Sequence, residues 1–194
     1  LTQLRDPNLN FSSVAISPLG DTAVTGSSDG TLRTWQIPPY DPPQRFQPGN
    51  APRGAGVPLS PSEGGNDFTQ HTAAITALAL MPDNRHVLSG DAKGHLYLWD
   101  AESKKSLRHW KLNGPLHDLA IAPDGNKAAA ATADGVAVWD ISDESTTLQE
   151  NDHAKQAMRL VFAANGRTIS FAGGGGMVGE LDANTGEVRR QLNL

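Results

Sequence analysis

The sequence of 194 residues contains no cysteine, which excludes disulfide bonds, thiolate metal ligands and cysteine nucleophiles. It also lacks any apolar run approaching the about 18 residues of a membrane-spanning helix, and it shows no secretion-signal pattern. Its formal net charge of −5 gives no attraction to phosphate backbones. We therefore expect neither a membrane nor a nucleic acid as its partner, and the compartment stays open, with the cytoplasm slightly favoured.

One pattern is repeated four times along the chain. In each copy an apolar strand is followed by a Pro-Asp-Gly-like turn, a second strand, a tight turn and a third strand that ends near Trp-Asp. The copies occupy residues 14–37, 75–100, 116–140 and 157–182. A repeat of this length is typical of architectures that stack one supersecondary unit many times.

Two independent markers give the same period. The turn marker falls at Pro18, Pro82, Pro123 and Ala164, and the strand-end marker falls at Trp35, Trp99, Trp139 and Leu181. The first marker advances by 64, 41 and 41 residues and the second by 64, 40 and 42. The surplus in the first step lies in residues 38–69, which hold 8 of the 13 prolines. Because proline cannot donate to a sheet, this stretch is interpreted as an inserted loop.

The repeated segments have the character of buried β-strands. They are short, rich in β-branched, aromatic and small residues, and separated by Gly, Asn or Asp turns. Several are apolar on both faces, as in residues 75–80, whereas a strand with one wet face would alternate apolar with polar side chains. No segment keeps a 3.6-residue period. The sequence therefore predicts an all-β fold of sheets stacked face to face.

A four-stranded unit of about 40 residues ending in Trp-Asp resembles the WD-repeat β-propeller family. Full Trp-Asp pairs end the second and third copies, and half matches end the first and fourth. The resemblance implies one domain over residues 1–194 with about four four-stranded antiparallel blades, near residues 7–47, 71–110, 112–150 and 153–194. Because such rings commonly hold about four to eight blades, we expect a segment of a larger ring. Its further blades would come from the parent chain or from a second copy.

The resemblance also implies a buried polar set in each blade: a His, a Ser or Thr, an Asp in the tight turn, and the Trp. The matching residues here are His71 and His153; Thr25, Ser89 and Thr132; Asp29 and Asp134; and Trp35, Trp99 and Trp139. The strand-end aspartates are Asp100, Asp140 and Asp182. The turn position of blade two is Lys93, and the His positions of blades one and three are Pro7 and Leu112, so we expect no blade to keep the full set. These residues are expected to have a structural role.

No pattern indicates catalysis, a metal site or a cofactor. The six histidines lack metal-ligand spacing, and no serine lies in a hydrolase elbow. Glycines at 174, 176 and 179 match GxGxxG, but a strand pattern follows where a phosphate site needs a helix. We therefore predict that the chain is not an enzyme and holds no metal or cofactor.

The resemblance implies a scaffold that binds other proteins or peptides through the loops at one end of its blades. By position these loops contain Asn10, Phe11, Ser28, Thr72, Ala73, Ala92, Asn113, Ala133, Lys155 and Gln156. PxxP spacings in the insert, at residues 39–42 and 58–61, offer a second surface for extended ligands. Two other functions stay open: a structural segment of a larger multidomain protein, and a propeller enzyme or small-ligand binder.

Overall fold

The structure is a computed structural model that describes residues 10–37, 70–142, 149–151 and 154–193. Within these residues the chain forms fifteen strands in four antiparallel sheets, with a 3-10 turn at Gly174–Gly176. The predicted all-β class is confirmed. The proline-rich insert and His153 lie outside the described residues.

The first two sheets follow the predicted repeat. Blade one consists of β1 (Phe11–Ile16), β2 (Thr22–Ser27) and β3 (Leu32–Gln36), paired in that order. Blade two consists of β4 (Ile75–Leu80), β5 (His86–Asp91), β6 (His95–Asp100) and β7 (Lys105–Lys111). A fourth strand was expected in blade one near residue 47, a position outside the described residues.

The last two sheets repeat the order of blade two. Blade three consists of β8 (Leu116–Ile121), β9 (Lys127–Thr132), β10 (Gly135–Asp140) and β11 (Gln149–Asn151). Blade four consists of β12 (Ala157–Phe162), β13 (Thr168–Gly173), β14 (Met177–Asp182) and β15 (Val188–Asn193). The first two glycines of the GxGxxG motif lie in the 3-10 turn and the third lies in β14, so a strand follows this turn, as predicted, and not an α-helix.

The turn between the first and second strands of a blade is set by a local side-chain contact. Asp83, Asp124 and Asn165 each accept a hydrogen bond from the backbone N–H two residues later, at 2.9, 3.0 and 2.9 Å. Short side chains with an oxygen favour this turn because they replace a backbone acceptor. The Pro-Asp-Gly pattern thus reverses the chain at the same end of each blade.

The sheets stack radially through their first strands. β1 packs on β4, β4 on β8 and β8 on β12. Three apolar clusters fill the spaces between successive blades, and the third-strand Trp of blades two and three lies in the cluster shared with the preceding blade. Ala128 to Ala131 of β9 are all fully buried, so the neighbouring sheets approach closely on both sides of blade three. Each inner sheet is therefore buried on both faces, as the doubly apolar strands predict.

In the part of the chain that the structure describes, the two end sheets leave part of one face open. In blade one Val14 and Ile16 are 57% and 59% exposed, and in blade four Val161 and Leu192 are 61% and 66% exposed. A groove of about 560 Å³ lies over the open face of blade four. Inner blades keep such positions covered, so the four blades form an arc with two unpartnered faces.

Candidate functional site

A buried network of polar side chains lies inside blade two. The His71 ring contacts Asp91 through Nδ1, 2.9 Å from Oδ2, and Ser89 through Nε2, 2.7 Å from Oγ. The indole N–H of Trp99 donates to the same Ser89 oxygen at 2.7 Å. All four side chains are buried. Together they form one hydrogen-bonded network that links the segment before β4 to β5 and β6.

This network corrects the expectation that no blade keeps the full polar set. The expected turn position, Lys93, is exposed, but Asp91 two residues earlier supplies the carboxylate. Ser89 and Asp91 are two residues apart on β5 and therefore point to the same face. That spacing was available in the sequence, and it was missed because only the turn position was considered.

The direction of each hydrogen bond follows from what each group can donate. An indole nitrogen only donates, so the Ser89 oxygen accepts from Trp99 and its own proton is donated to His71 Nε2. His71 then carries its proton on Nδ1 and donates it to Asp91. The other Asp91 oxygen accepts from the backbone N–H groups of Lys93 and His95, at 2.9 and 3.0 Å. The network thus has a donor for every acceptor it uses.

The local environment shifts both titrating groups downward. Burial lowers the pKa of His71 below its ordinary 6.5, against the opposing effect of Asp91. Burial alone would raise the pKa of the Asp91 carboxyl, but the hydrogen bonds from His71, His95 and Lys93 outweigh it and hold the pKa below 3.8. The folded state therefore favours a neutral imidazole beside a carboxylate.

The order Asp91, His71, Ser89 matches that of a catalytic Ser-His-Asp triad, but its surroundings differ. Ser89 is 0% exposed, and its oxygen is held between the indole of Trp99 and the imidazole. A nucleophile needs an open position for a substrate carbonyl and donors for the oxyanion. The network fixes how β4, β5 and β6 pack, which is the structural role expected for His71.

We expect the stability of the protein to fall as the pH drops below about 6.5. The unfolded chain takes up a proton on His71 at its ordinary pKa of 6.5, whereas the folded chain resists that proton. Stability from this residue is thus complete above that pH and is lost as the pH falls through the window beneath it. Urea unfolding at about pH 7.5 and 5.5 measures the loss. The His71→Gln variant should lose less stability between these pH values; an equal loss would contradict the assignment.

Blade one keeps two members of the polar set. Trp35 donates its indole N–H to Thr25 Oγ1 at 2.8 Å, in the same geometry as the pair in blade two. The predicted turn residue Asp29 is exposed and accepts from the backbone N–H and hydroxyl of Thr31, at 2.9 and 2.7 Å. The Asp29 carboxylate therefore closes its own turn.

Blade three does not use the polar position that the sequence indicates. Thr132 pairs with Leu116, and its hydroxyl donates to the Gly135 carbonyl at 3.2 Å. The equivalent position lies on the second strand of each blade, opposite the residue two before the Trp of the third strand. It holds Thr25 in blade one and Ser89 in blade two, but Ala130 in blade three. Thr132 lies two residues beyond that position, and the side chain of Ala130 has no acceptor for the indole. As a result, Trp139 Nε1 is buried without a hydrogen-bond partner among the described residues.

We expect Ala130→Ser to stabilise the protein by about 1 kcal/mol. The new hydroxyl would lie where Ser89 and Thr25 accept the indole N–H in the other blades, so Trp139 would gain the partner it lacks. The matched control is Ala129→Ser, also at a fully buried alanine but on the other face of β9. That variant buries a hydroxyl away from the indole and should destabilise the protein. Equal thermal shifts in the two variants would contradict the prediction.

Blade four replaces the polar set with an aromatic ring. Leu181 occupies the Trp position, and Phe171 lies opposite Gly179, where the other blades have Thr, Ser or Ala. A Cβ on Gly179 would meet the Phe171 ring, so the ring fills the space that a side chain on β14 would need. The large side chain has moved from the third strand to the second, which explains why this copy looks degenerate.

The strand-end aspartates stabilise the turns that follow them. Asp100 Oδ1 accepts the backbone N–H groups of Glu102 and Ser103, at 3.0 and 2.8 Å. Asp140 accepts from Ser142 in the same way, and Asp182 from residues 184 and 185. Backbone hydrogen bonds and a guanidinium partner lower the pKa of both Asp100 and Asp182 to about 2. These carboxylates therefore have a local structural role.

The ten predicted partner-binding positions lie at one end of the blades. We call this end, where β1, β4, β8 and β12 begin, the upper face. Two of the ten are half-buried, Phe11 and Ala73, and Phe11 packs edge-on against Trp35 with ring centroids 5.9 Å apart. The others are exposed: Asn10, Ser28, Thr72, Ala92, Asn113, Ala133, Lys155 and Gln156.

Close backbone contacts join neighbouring loops of the upper face. Gly30 has φ +87°, and a Cβ there would lie 2.7 Å from the His71 carbonyl oxygen of the next blade. The N–H of Ser28 donates to the Asn10 carbonyl at 3.0 Å, and that of Ala92 to the Ala74 carbonyl at 2.9 Å. Backbone contacts thus hold the loops of the upper face in blades one and two.

No group of three metal-ligating side chains comes together anywhere in residues 10–37, 70–142 or 154–193. In the same parts of the chain, no helix has the length and apolar character needed to cross a membrane. The expectations of no metal and no cofactor stay predictions for the whole chain.

Known proteins resemble the chain both in sequence and in fold. The WD domain, G-beta repeat family matches residues 3–36 and 65–100. The Cps50 (Swd1) β-propeller domain of Myceliophteria thermophila superposes with a TM-score of 0.75 at 18% identity, covering 97% of this chain and 56% of that one. The chain contains WD repeats and has the fold of a β-propeller segment. It spans little more than half of this solved propeller.

Curated relatives match with similar partial coverage. The small ribosomal subunit protein RACK1 of Candida albicans is 28% identical over 115 residues, which cover 55% of this chain and 36% of that protein. The MST50-interacting protein 11 of Pyricularia oryzae is 27% identical over 116 residues, with 55% and 36% coverage. The chain thus spans about a third of the length of these relatives.

Proposed function

We propose that the chain is a non-catalytic protein-binding scaffold whose upper face contacts its partners. The main support is that eight of the ten predicted loop positions are exposed at the same end of the blades. Because the loops are held by backbone contacts and the blades by buried cores, little ordering is needed when a partner binds. The names of two relatives, a small ribosomal subunit protein and an MST50-interacting protein, describe proteins that work in assemblies.

The partner-binding role can be tested by changing opposite ends of the same blades. Ala92→Arg with Ala133→Arg alters two exposed turns of the upper face. Asn126→Arg with Asn184→Arg places the same two charges on exposed turns at the other end, which we call the lower face. Affinity capture with quantitative mass spectrometry should recover proteins with the wild-type and lower-face baits and lose them with the upper-face bait. Equal recovery with all three baits would contradict the proposal.

We also propose that further blades cover the two open ends of the arc in the working protein. The exposed apolar residues of blades one and four support this, since inner blades bury such positions. Further blades of a parent chain and a second copy of this chain are the two sources. Light scattering on these 194 residues separates them, because two copies would double the mass and a stable single-chain mass would exclude the second copy.

A further inference from the structure

Four basic side chains cluster at the upper end of blade two. His95 and Lys111 are directly opposite each other on β6 and β7, and His109 lies opposite Tyr97 one step along the same pair. Lys93 lies in the turn that leads into β6. Because cross-strand partners and residues two apart share one face of a sheet, the side chains of His95, His109 and Lys111 project from a single surface.

Local contacts hold three of the four groups in place. His95 Nδ1 lies 3.0 Å from His109 Nε2, and the His109 ring packs on Tyr97 with centroids 4.5 Å apart. The Lys111 ammonium donates to the backbone carbonyls of Lys93 and Leu112, the latter at 2.9 Å. The side chains of His95, His109 and Lys111 are therefore held against the edge of the sheet.

No exposed carboxylate balances this charge at the upper end of blade two, within the residues that the structure describes. Asp91 lies there, but it is fully buried and bound to His71. The other described carboxylates of blade two, Asp83, Asp100 and Glu102, lie at the lower face. A chain with a net charge of −5 thus presents a local basic surface on its proposed binding face.

We propose that the basic cluster of Lys93, His95, His109 and Lys111 binds an acidic, extended segment of a protein partner. The proposal rests on the partner-binding role of the upper face and specifies the chemistry recognised there. Residues two apart on a strand are separated by about 7 Å, both along β7 and along an extended peptide. Carboxylates at alternate peptide positions therefore match the spacing of His109 and Lys111.

Burial and the neighbouring His95 lower the pKa of His109 below its ordinary 6.5. Binding of such a peptide should therefore strengthen mainly as the pH falls from about 6.5 to 5.5, since protonation of His109 adds positive charge. The charged and titrating groups that face the histidine pair are Lys111, Lys93, Tyr97, and the buried Asp91 with His71. Asp91 is already committed to His71 and the backbone. A proton gained by the histidine pair would therefore form a hydrogen bond with a carboxylate of the bound peptide.

The test uses a fluorescein-labelled peptide of alternating glutamate and glycine, with a glutamine-for-glutamate peptide as the neutral control. Fluorescence anisotropy at low salt should show binding of the acidic peptide alone. Lys93→Gln with Lys111→Gln should weaken it about fivefold or more. Lys104→Gln with Lys105→Gln removes the same charge at the lower face and should leave the affinity unchanged. Should the first pair disturb folding, judged by thermal unfolding, Lys93→Gln alone carries the comparison.

His109→Asn should abolish the gain in affinity at lower pH, whereas His86→Asn at the lower face should preserve it. The proposal is overturned by absence of acidic-peptide binding, by an equal loss in the two lysine pairs, or by equally tight binding of an oligonucleotide. Captured partners that are lost with the Ala92 and Ala133 variants but retained with Lys93→Gln and Lys111→Gln would keep the scaffold function and reject this site.

Discussion

Replacing Asp91 by alanine is expected to lower the free energy of unfolding by about 3–5 kcal/mol. The substitution leaves the His71 N–H buried without its acceptor and also removes the acceptor of two backbone N–H groups, those of Lys93 and His95. Each buried donor left without a partner costs about 1–3 kcal/mol. Chemical denaturation of the wild type and the variant measures the difference.

Asp29→Ala is the matched control for this measurement. Asp29 occupies the turn position that the family pattern indicates, but it is exposed, and its hydrogen bonds come from Ser27 and Thr31 of the same hairpin. Its loss should cost about 1 kcal/mol or less. If the two variants lost equal stability, the carboxylate of blade two would have no special place in the fold.

Replacing Gly94 by alanine should cost about 3–5 kcal/mol. This glycine has φ +86°, and a Cβ there would lie 2.5 Å from the carbonyl oxygens of both Leu112 and Gly114. The added methyl group meets backbone atoms, which cannot move without displacing the β7–β8 loop. Thermal and chemical unfolding both report the loss.

Gly20→Ala separates backbone strain from this steric contact. Gly20 has φ +74°, close to that of Gly94, but nothing lies within 4 Å of its Cβ position. The variant should therefore cost only the about 1–2 kcal/mol of a left-handed alanine. Similar losses at the two glycines would mean that the close approach between the turn of blade two and the β7–β8 loop contributes nothing.

The sequence predicted the strands well because its markers are local. A Pro-Asp-Gly turn and a Trp at the end of the third strand each act through contacts a few residues long, so the four copies could be aligned without knowing their packing. Blade four shows the limit of that alignment. Its Trp position holds Leu181, and the compensating Phe171 lies on a different strand, opposite Gly179, which only the register reveals.

The polar positions were predicted less well because they depend on which residues pair across neighbouring strands. Thr132 was predicted as the polar residue of the third copy, whereas the residue opposite the second position before Trp139 is Ala130. Asp91 was overlooked because only the turn position, Lys93, was considered. A carboxylate two residues earlier reaches the same histidine. A shift of two residues keeps a side chain on the same face of its strand but changes which residues it contacts across the sheet.

What the sequence determined alone is the all-β class, the number of repeated units and the end of each blade at which its loops gather, because these depend on short-range turn chemistry and strand periodicity. Tertiary structure decided which polar groups are buried together, which indole lacks a partner and where the basic side chains of blade two converge. These depend on cross-strand register and on the approach of neighbouring sheets, and residues far apart in the chain set both.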